Sequence, residues 1–466
     1  MIQLNHKSMS LLTSPFSTAR RQFLKLAGRT AFGAGCTPIV GGLMRLMPSG
    51  TEAIHVLPPI QTSVKNWRTH FPALEQTISG QPLVYFDTAA TSQRPKEVID
   101  AVANFYRRNN ANPGSTLHTL ARRASADFDE ARKTVAQFVN GSDPLEIVFT
   151  RGTTEAVNLV ASAWGSRNLR VGDEILVGIA EHASNMAPWQ LIALKTGAQL
   201  RYFDIDDAGE PDVRDFERKL SARTRIVAFS HVSNVLGMIN PVVHMSALAH
   251  SAGALVLVDA AQSVPHFPVD VRALGCDFLA FSGHKMLGPM GIGVLWARRD
   301  LLEAMPPYQS GSNMAHDVDV DSMHLSEAAL RFGAGTPNVA DAVGLAAAIN
   351  FIKSIGQTAL WEHEQALTKR FVEKVSAIQG VRLLGSLDPT RKISVFAFDV
   401  EGVPARNVLA SLDRQGIAIR AGDLAALPLL KRLRLTTAAR ASCYLYTTLE
   451  EVDVFATALE RIASKG

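Results

Sequence analysis

Asp277-Phe278-Leu279-Ala280-Phe281-Ser282-Gly283-His284-Lys285 is the stretch on which the fold turns. Its first five residues form a short, mostly apolar run of the kind that makes a buried strand. Three small or polar residues follow, and a lysine arrives where the strand should end. Upstream, Ala254-Leu255-Val256-Leu257-Val258 is a second such run, ending on Asp259-Ala260-Ala261-Gln262. In a parallel α/β sheet both runs open onto the same edge, where ligands bind. An amine and a carboxylate then stand side by side.

That pair suits pyridoxal phosphate. A lysine amine can hold the aldehyde, and a carboxylate beside the pyridine nitrogen keeps the ring protonated and electron-withdrawing. The plainer alternative is a surface lysine after one strand and a helix-capping aspartate after another. Further along, Phe149-Thr150-Arg151-Gly152-Thr153-Thr154-Glu155 places a glycine and two hydroxyls where a helix should begin. Backbone N–H groups and the helix dipole there favour a phosphate, although a simple capping box would look similar. Ser282 and His284, on another loop, add to the phosphate reading.

The rest of the body alternates in the same manner. Strand-like runs at Ile147–Thr150, Glu174–Val177, Leu200–Phe203, Arg225–Phe229, Leu255–Val258, Phe278–Phe281 and Gly293–Ala297 are mostly separated by helical or loop stretches. Repeated strand-then-helix predicts an α/β fold with a mainly parallel sheet covered on both faces. After Pro337 the pattern changes to long helical stretches, shorter strands and one more helix. The expected organisation is a leader over 1–54, a segment over 55–94 that returns to a small domain, a large cofactor-binding domain over 95–340, and a smaller α+β domain over 341–466.

With 466 residues, 47% hydrophobic and 19% charged, the chain has the composition of an ordinary globular protein. Its net charge of +4 is carried by the leader. Residues 1–54 hold six basic residues and one acid, leaving 41 basic and 42 acidic of the total 47 and 43. No basic stripe is interleaved with aromatics, so nucleic acid is not an expected partner. Cys36, Cys276 and Cys443 read as neither a disulfide framework nor a metal site, and no Cys/His cluster has ligand spacing. In the leader, Arg20-Arg21-Gln22-Phe23-Leu24-Lys25 is a twin-arginine pattern followed by an uncharged stretch from Thr30 to Met44. That stretch falls short of the roughly 20 apolar residues of a spanning helix. The expectation is export to the periplasm by the twin-arginine translocase. The alternative is a basic tail on a cytoplasmic protein.

The motifs together resemble a known family. Tyr85-Phe86-Asp87-Thr88-Ala89-Ala90, Arg151-Gly152-Thr153-Thr154-Glu155, His231-Val232-Ser233-Asn234, Asp259-Ala260-Ala261-Gln262, Ser282-Gly283-His284-Lys285 and Arg331-Phe332-Gly333-Ala334-Gly335-Thr336 come in the order seen in class-V aminotransferases. The likeness is to fold-type-I pyridoxal-phosphate enzymes of the SufS/CsdA-type cysteine desulfurase group, over about residues 64–462. It implies that Lys285 carries the cofactor and shuttles protons, that Asp259 holds the pyridine nitrogen, and that His182 stacks on the ring as a second catalytic group. It implies that Asn234 and Gln262 bond the ring-oxygen side. Thr153, Thr154, Ser282 and His284 would bind the phosphate, with Thr336 reaching in from the second subunit of a homodimer. Arg440 would fork onto the substrate carboxylate, with Arg420 and Asn234 nearby.

One loop departs from the family. Where desulfurases carry a nucleophilic cysteine after two histidines, this chain reads Gly422-Asp423-Leu424-Ala425. Ala183 replaces a second histidine after His182, and Gly114-Ser115 replaces a His-Arg pair. A methyl group cannot attack sulfur. The expectation is therefore a pyridoxal-phosphate enzyme acting at the α-carbon of an amino acid, or of a residue in a peptide or siderophore, without a persulfide step. Elimination, decarboxylation, transamination and racemisation all stay open. Two alternatives stand beside it: C–S or C–Se cleavage of the cysteine desulfurase or selenocysteine lyase type without a thiol relay, and a non-catalytic relative retaining the fold.

Overall fold

A computed structural model describes residues 63–114 and 117–465. The leader expected over 1–54, Cys36 within it, and Ser115 lie outside the described residues.

Most of the large sheet is built from runs too apolar to face water; the edge strand Gln199–Phe203 is the partly exposed exception. Its strands are β2 (Ile147–Thr150), β3 (Glu174–Gly178), β4 (Gln199–Phe203), β5 (Thr224–Ser230), β6 (Leu255–Asp259), β7 (Phe278–Ser282) and β8 (Gly293–Ala297), preceded in the chain by β1 (Val84–Tyr85). In spatial order they run β2-β8-β7-β6-β5-β3-β4. β3, β7 and β8 are buried along their whole length, so both faces are covered. Alternate residues point to opposite cores: Val227 and Phe229 to one, Ile226 and Ala228 to the other.

The pairs β7·β6, β6·β5, β5·β3 and β3·β4 are parallel, whereas β8 runs antiparallel to both its neighbours. The reason is length. Only residues 283–292 separate β7 from β8, and a parallel crossover needs roughly a dozen or more. The reversal sets Gly293 between Ser282 and Thr150, the ends of β7 and β2. A Cβ at Gly293 would lie 2.4 Å from the Cα of Gly152. Glycine there lets the Arg151-Gly152-Thr153 turn close over the sheet edge.

The smaller sheet is β9 (Val381–Leu383), β10 (Val395–Val400), β13 (Ala438–Ser442) and β12 (Arg420–Gly422), in that spatial order. β11 (Ile417–Ala418) pairs in parallel with β1 as a separate two-stranded sheet. Phe371 and Phe396 stack at 3.8 Å in its core. Truncating either to alanine carries a core-cavity cost of about 3–5 kcal/mol. The helix Val339–Ile355, which the sequence assigns mostly to the small domain, buries Leu345, Ile349 and Ile352 in the core of the large sheet instead. Gly356, with φ of 89°, ends it and opens the turn into the next helix, Gln357–Ser376. Among the described residues no single helix is long and apolar enough to cross a membrane.

Candidate active site

β6 and β7 are paired in parallel, with Asp259 opposite Ala280. Their carboxyl ends bring Asp259 and Lys285 to one cavity of about 460 Å³. Thr153, Thr154, His182, Asn234, Gln262, Ser282, His284, Arg420 and Arg440 line it as well. Every site residue expected from the sequence is there except Thr336, which lines a different cavity with Gly114, Tyr308 and Asn313. One chain does not bring Thr336 to the lysine.

Burial sets the electrostatics. It pushes the Lys285 amine down to about 8, with Asp259 opposing and Arg440 adding to the shift. It pushes the Asp259 carboxyl up, against Lys285 and the N–H of Ala261, which donates to Oδ1 at 2.9 Å. Burial and the neighbouring Lys285 and Arg440 cations take His182 down to about 4, while Asp423 opposes them. His284 falls to about 4 from burial, then Lys285 and Arg94. Both imidazoles are neutral at physiological pH. Nδ1 of His182 accepts from Ser184 N–H at 3.1 Å, which leaves the ring proton on Nε2.

The loop after β2 gathers hydroxyls at one end of the cavity. Ser282 Oγ accepts from Thr153 N–H at 2.8 Å and meets Thr153 Oγ1 at 2.7 Å. Thr154 Oγ1 meets Ser184 Oγ at 2.7 Å. The helix beginning at Thr153 continues through two further helical segments to Asn168, so its amino terminus faces these hydroxyls.

At the other end, Arg440 is buried on β13. Its Nη1 donates to Asn234 O at 2.8 Å, and its Nε is buried without a partner. Burial lowers its guanidinium to about 10, against the pull of Asp87. Arg420 Nη2 lies 2.8 Å from Asp87 Oδ2, and Arg440 Nη2 lies 3.5 Å from Asp87 Oδ1. Asp87 was visible in its motif, but no local signal assigns it this partnership with residues more than 300 positions away. Asn234 Nδ2 donates to Leu424 O and Gln262 Nε2 to Ala89 O.

Glu181 is the other residue that sequence reasoning passed over. It accepts from Asn185 Nδ2 at 2.8 Å and from Ser230 Oγ at 3.2 Å. Burial raises its carboxyl from 4.5 to about 8, so the folded protein holds it protonated at neutral pH. A raised folded pKa contributes stability that is full below about 4.5 and is lost as pH rises through about 8. Glu181→Gln is therefore expected to raise the melting temperature relative to wild type more in alkaline than in acidic buffer. Thermal denaturation across that range checks this, and a pH-independent difference would refute it.

A half-buried lysine near a buried carboxylate, a neutral imidazole, a turn rich in N–H and O–H donors and a buried arginine on one sheet edge define a fold-type-I pyridoxal-phosphate enzyme. The fit to the cofactor rests on these groups: an amine for the aldehyde, a carboxylate for the ring nitrogen and N–H and O–H donors for the phosphate. The chain belongs to the class-V aminotransferase family, whose description matches residues 84–455. It is 45% identical over 391 residues to a probable cysteine desulfurase of Halalkalibacterium halodurans, covering 84% of this chain and 96% of the relative. It is also 45% identical over 395 residues to a cysteine desulfurase of Synechococcus elongatus, covering 85% of this chain but only 63% of that relative. Among solved structures it is similar to a cysteine desulfurase from Thermococcus onnurineus, with a TM-score of 0.80 and 38% identity over 85% of this chain and 99% of that one. The cysteine desulfurase CsdA from Escherichia coli gives 0.79 and 37%, over 86% and 99%.

Proposed function

We propose that this protein uses pyridoxal phosphate to act at the α-carbon of an amino acid, free or within a peptide or siderophore, without passing sulfur to a thiol of its own. The observation that carries the proposal is a juxtaposition. Lys285, Asp259, His182 and Arg440 surround one cavity, and residue 425 on its wall is alanine. Neither described thiol lines the cavity. Cys276 is 4% exposed and Cys443 is fully buried, and burial raises both well above the usual thiol range.

When bound, pyridoxal phosphate supplies an electron sink for charge developed at the α-carbon. The chain supplies position and protons. Asp259 would hold the ring nitrogen, and a carboxylate there favours its protonated form. Thr153, Thr154, Ser282 and the helix start bind the phosphate. Arg440 presents a buried fork to the substrate carboxylate. Lys285 Nζ, lowered to about 8, could take and return a proton at the α-carbon. His182 Nε2–H offers a hydrogen bond from the cavity wall. The purified holoprotein should be yellow, bleach with borohydride and change spectrum with an amino acid; a colourless protein to which pyridoxal phosphate does not bind would remove the proposal.

The desulfurase relatives favour a second reading, C–S or C–Se cleavage that releases its product without a thiol relay. Two further proposals accompany the first. A homodimer is expected, since Thr336 lies away from the cavity within one chain; sedimentation showing a fully loaded monomer would contradict it. Export is expected to depend on Arg20 and Arg21. Changing both to lysine should trap the protein in the cytoplasmic fraction, and unchanged periplasmic recovery would remove the twin-arginine reading.

A further inference from the structure

The charges around the cavity constrain the substrate's side chain. Three cations line it, Lys285, Arg420 and Arg440, with two carboxylates, Asp259 and Asp423. Lys285 and Asp259, which act on each other electrostatically, are assigned to the cofactor. The two guanidiniums remain, and both face Asp87, at 2.8 Å for Arg420 and 3.5 Å for Arg440. Two positive charges sharing one negative leave a surplus of one. That surplus, together with the buried and unpartnered Nε of Arg440, matches a single substrate carboxylate.

The remaining wall offers nothing to a second one. His182 and His284 are held neutral. The loop after β12 contributes Leu424 and Ala425, which are apolar, and Asp423, which is negative. This loop is fixed in place. Ala183 N–H donates to Ala425 O at 2.7 Å, and Asn234 Nδ2 donates to Leu424 O at 3.0 Å. Asp423 Oδ1 accepts from Ala425 N–H at 3.0 Å, which holds the carboxylate on the wall, close enough to act on the His182 imidazole. Leu424 and Ala425 both have φ of 53°, a left-handed conformation that the three contacts hold.

We infer that the site selects monocarboxylic α-amino acids with neutral or cationic side chains and rejects acidic ones, with Asp423 as the excluding residue. The inference rests on the reading that an amino acid is the substrate. A glutamate or aspartate side chain would bring a second carboxylate into a cavity with no free cation and a fixed negative charge. Like charges at this range in a partly wet cavity cost enough to weaken binding by about tenfold. A neutral amide of the same shape meets no such charge, and a lysine side chain is attracted.

Isosteric pairs test this directly. Purified holoprotein is titrated with L-glutamine against L-glutamate and L-asparagine against L-aspartate, following the cofactor absorbance, with L-lysine as the cationic probe. Each amide is expected to bind at least about tenfold more tightly than its acid, with the gap narrowing as salt is raised. Asp423→Asn keeps an acceptor for the Ala425 N–H, so the loop keeps its anchor while losing the charge. In that variant the amide-to-acid ratio should fall several-fold. Glutamate or aspartate binding as tightly as its amide, or a ratio unmoved by Asp423→Asn, overturns the inference and leaves the proposed reaction class standing. No spectral response to any of these free amino acids overturns the inference and leaves only the peptide or siderophore form of the proposed function.

Discussion

Lys285→Ala is expected to abolish turnover and remove the borohydride-sensitive yellow colour. Only one amine lines the cavity, and Asp259 is its neighbour. Lys392 is a deeply buried amine, likewise lowered to about 8 by burial, but it packs against Phe396 in the small domain at 4.9 Å and does not line the cavity. No second lysine can therefore take over. The loss should be several orders of magnitude, as expected when a covalent anchor and proton carrier are removed together. The variant should still bind the cofactor's phosphate end, because Thr153, Thr154 and Ser282 are untouched. Equilibrium dialysis separates that result from unfolding. Full activity in Lys285→Ala would mean that the amine at the end of β7 is not the one that holds the cofactor.

Incubation of the wild-type holoprotein with L-cysteine and a reductant is expected to leave no persulfide on the protein. A persulfide needs a thiolate that can reach the substrate sulfur. Residue 425 on the cavity wall carries only a methyl group. Cys276 sits at the amino end of β7, at the opposite edge of the sheet from Lys285. Cys443 follows β13 and lies in the small-domain core with Phe396 and Phe455. Both thiols are held protonated by burial. Persulfide trapping with mass spectrometry of the intact chain reads the outcome. Stoichiometric sulfur on any of the three cysteines would show that the thiol relay has moved and is not missing. Ala425→Cys is expected to recover little, since Asp423 stands two residues away and would hold a new thiol in its protonated form.

Much of this molecule could be read before any coordinates. The large-sheet strands lie within a residue or two of the expected runs, because the central ones are covered on both faces and read as near-continuous apolar stretches. Asp259 and Lys285 were identifiable because each interrupts such a run at its carboxyl end. The identity of residue 425 also belongs to the sequence alone.

Other features were settled only in three dimensions. The reversed direction of β8 depends on a short connection and a close approach of Gly293 to Gly152. An apolar run reads the same in either direction. The helix at 339–355 joined the large core because its apolar surface, not its place in the chain, chose its neighbour. Asp87 became the shared partner of Arg420 and Arg440 only when β1 paired with β11 and Asp87 came alongside Ser442. The protonation of Glu181 follows from enclosure, since a carboxylate's pKa depends on the water excluded around it and not on its neighbours in sequence. Composition and local pattern determined which groups the chain carries and where strands must lie. Long-range pairing decided which of those groups share a cavity, because charge and desolvation act through space.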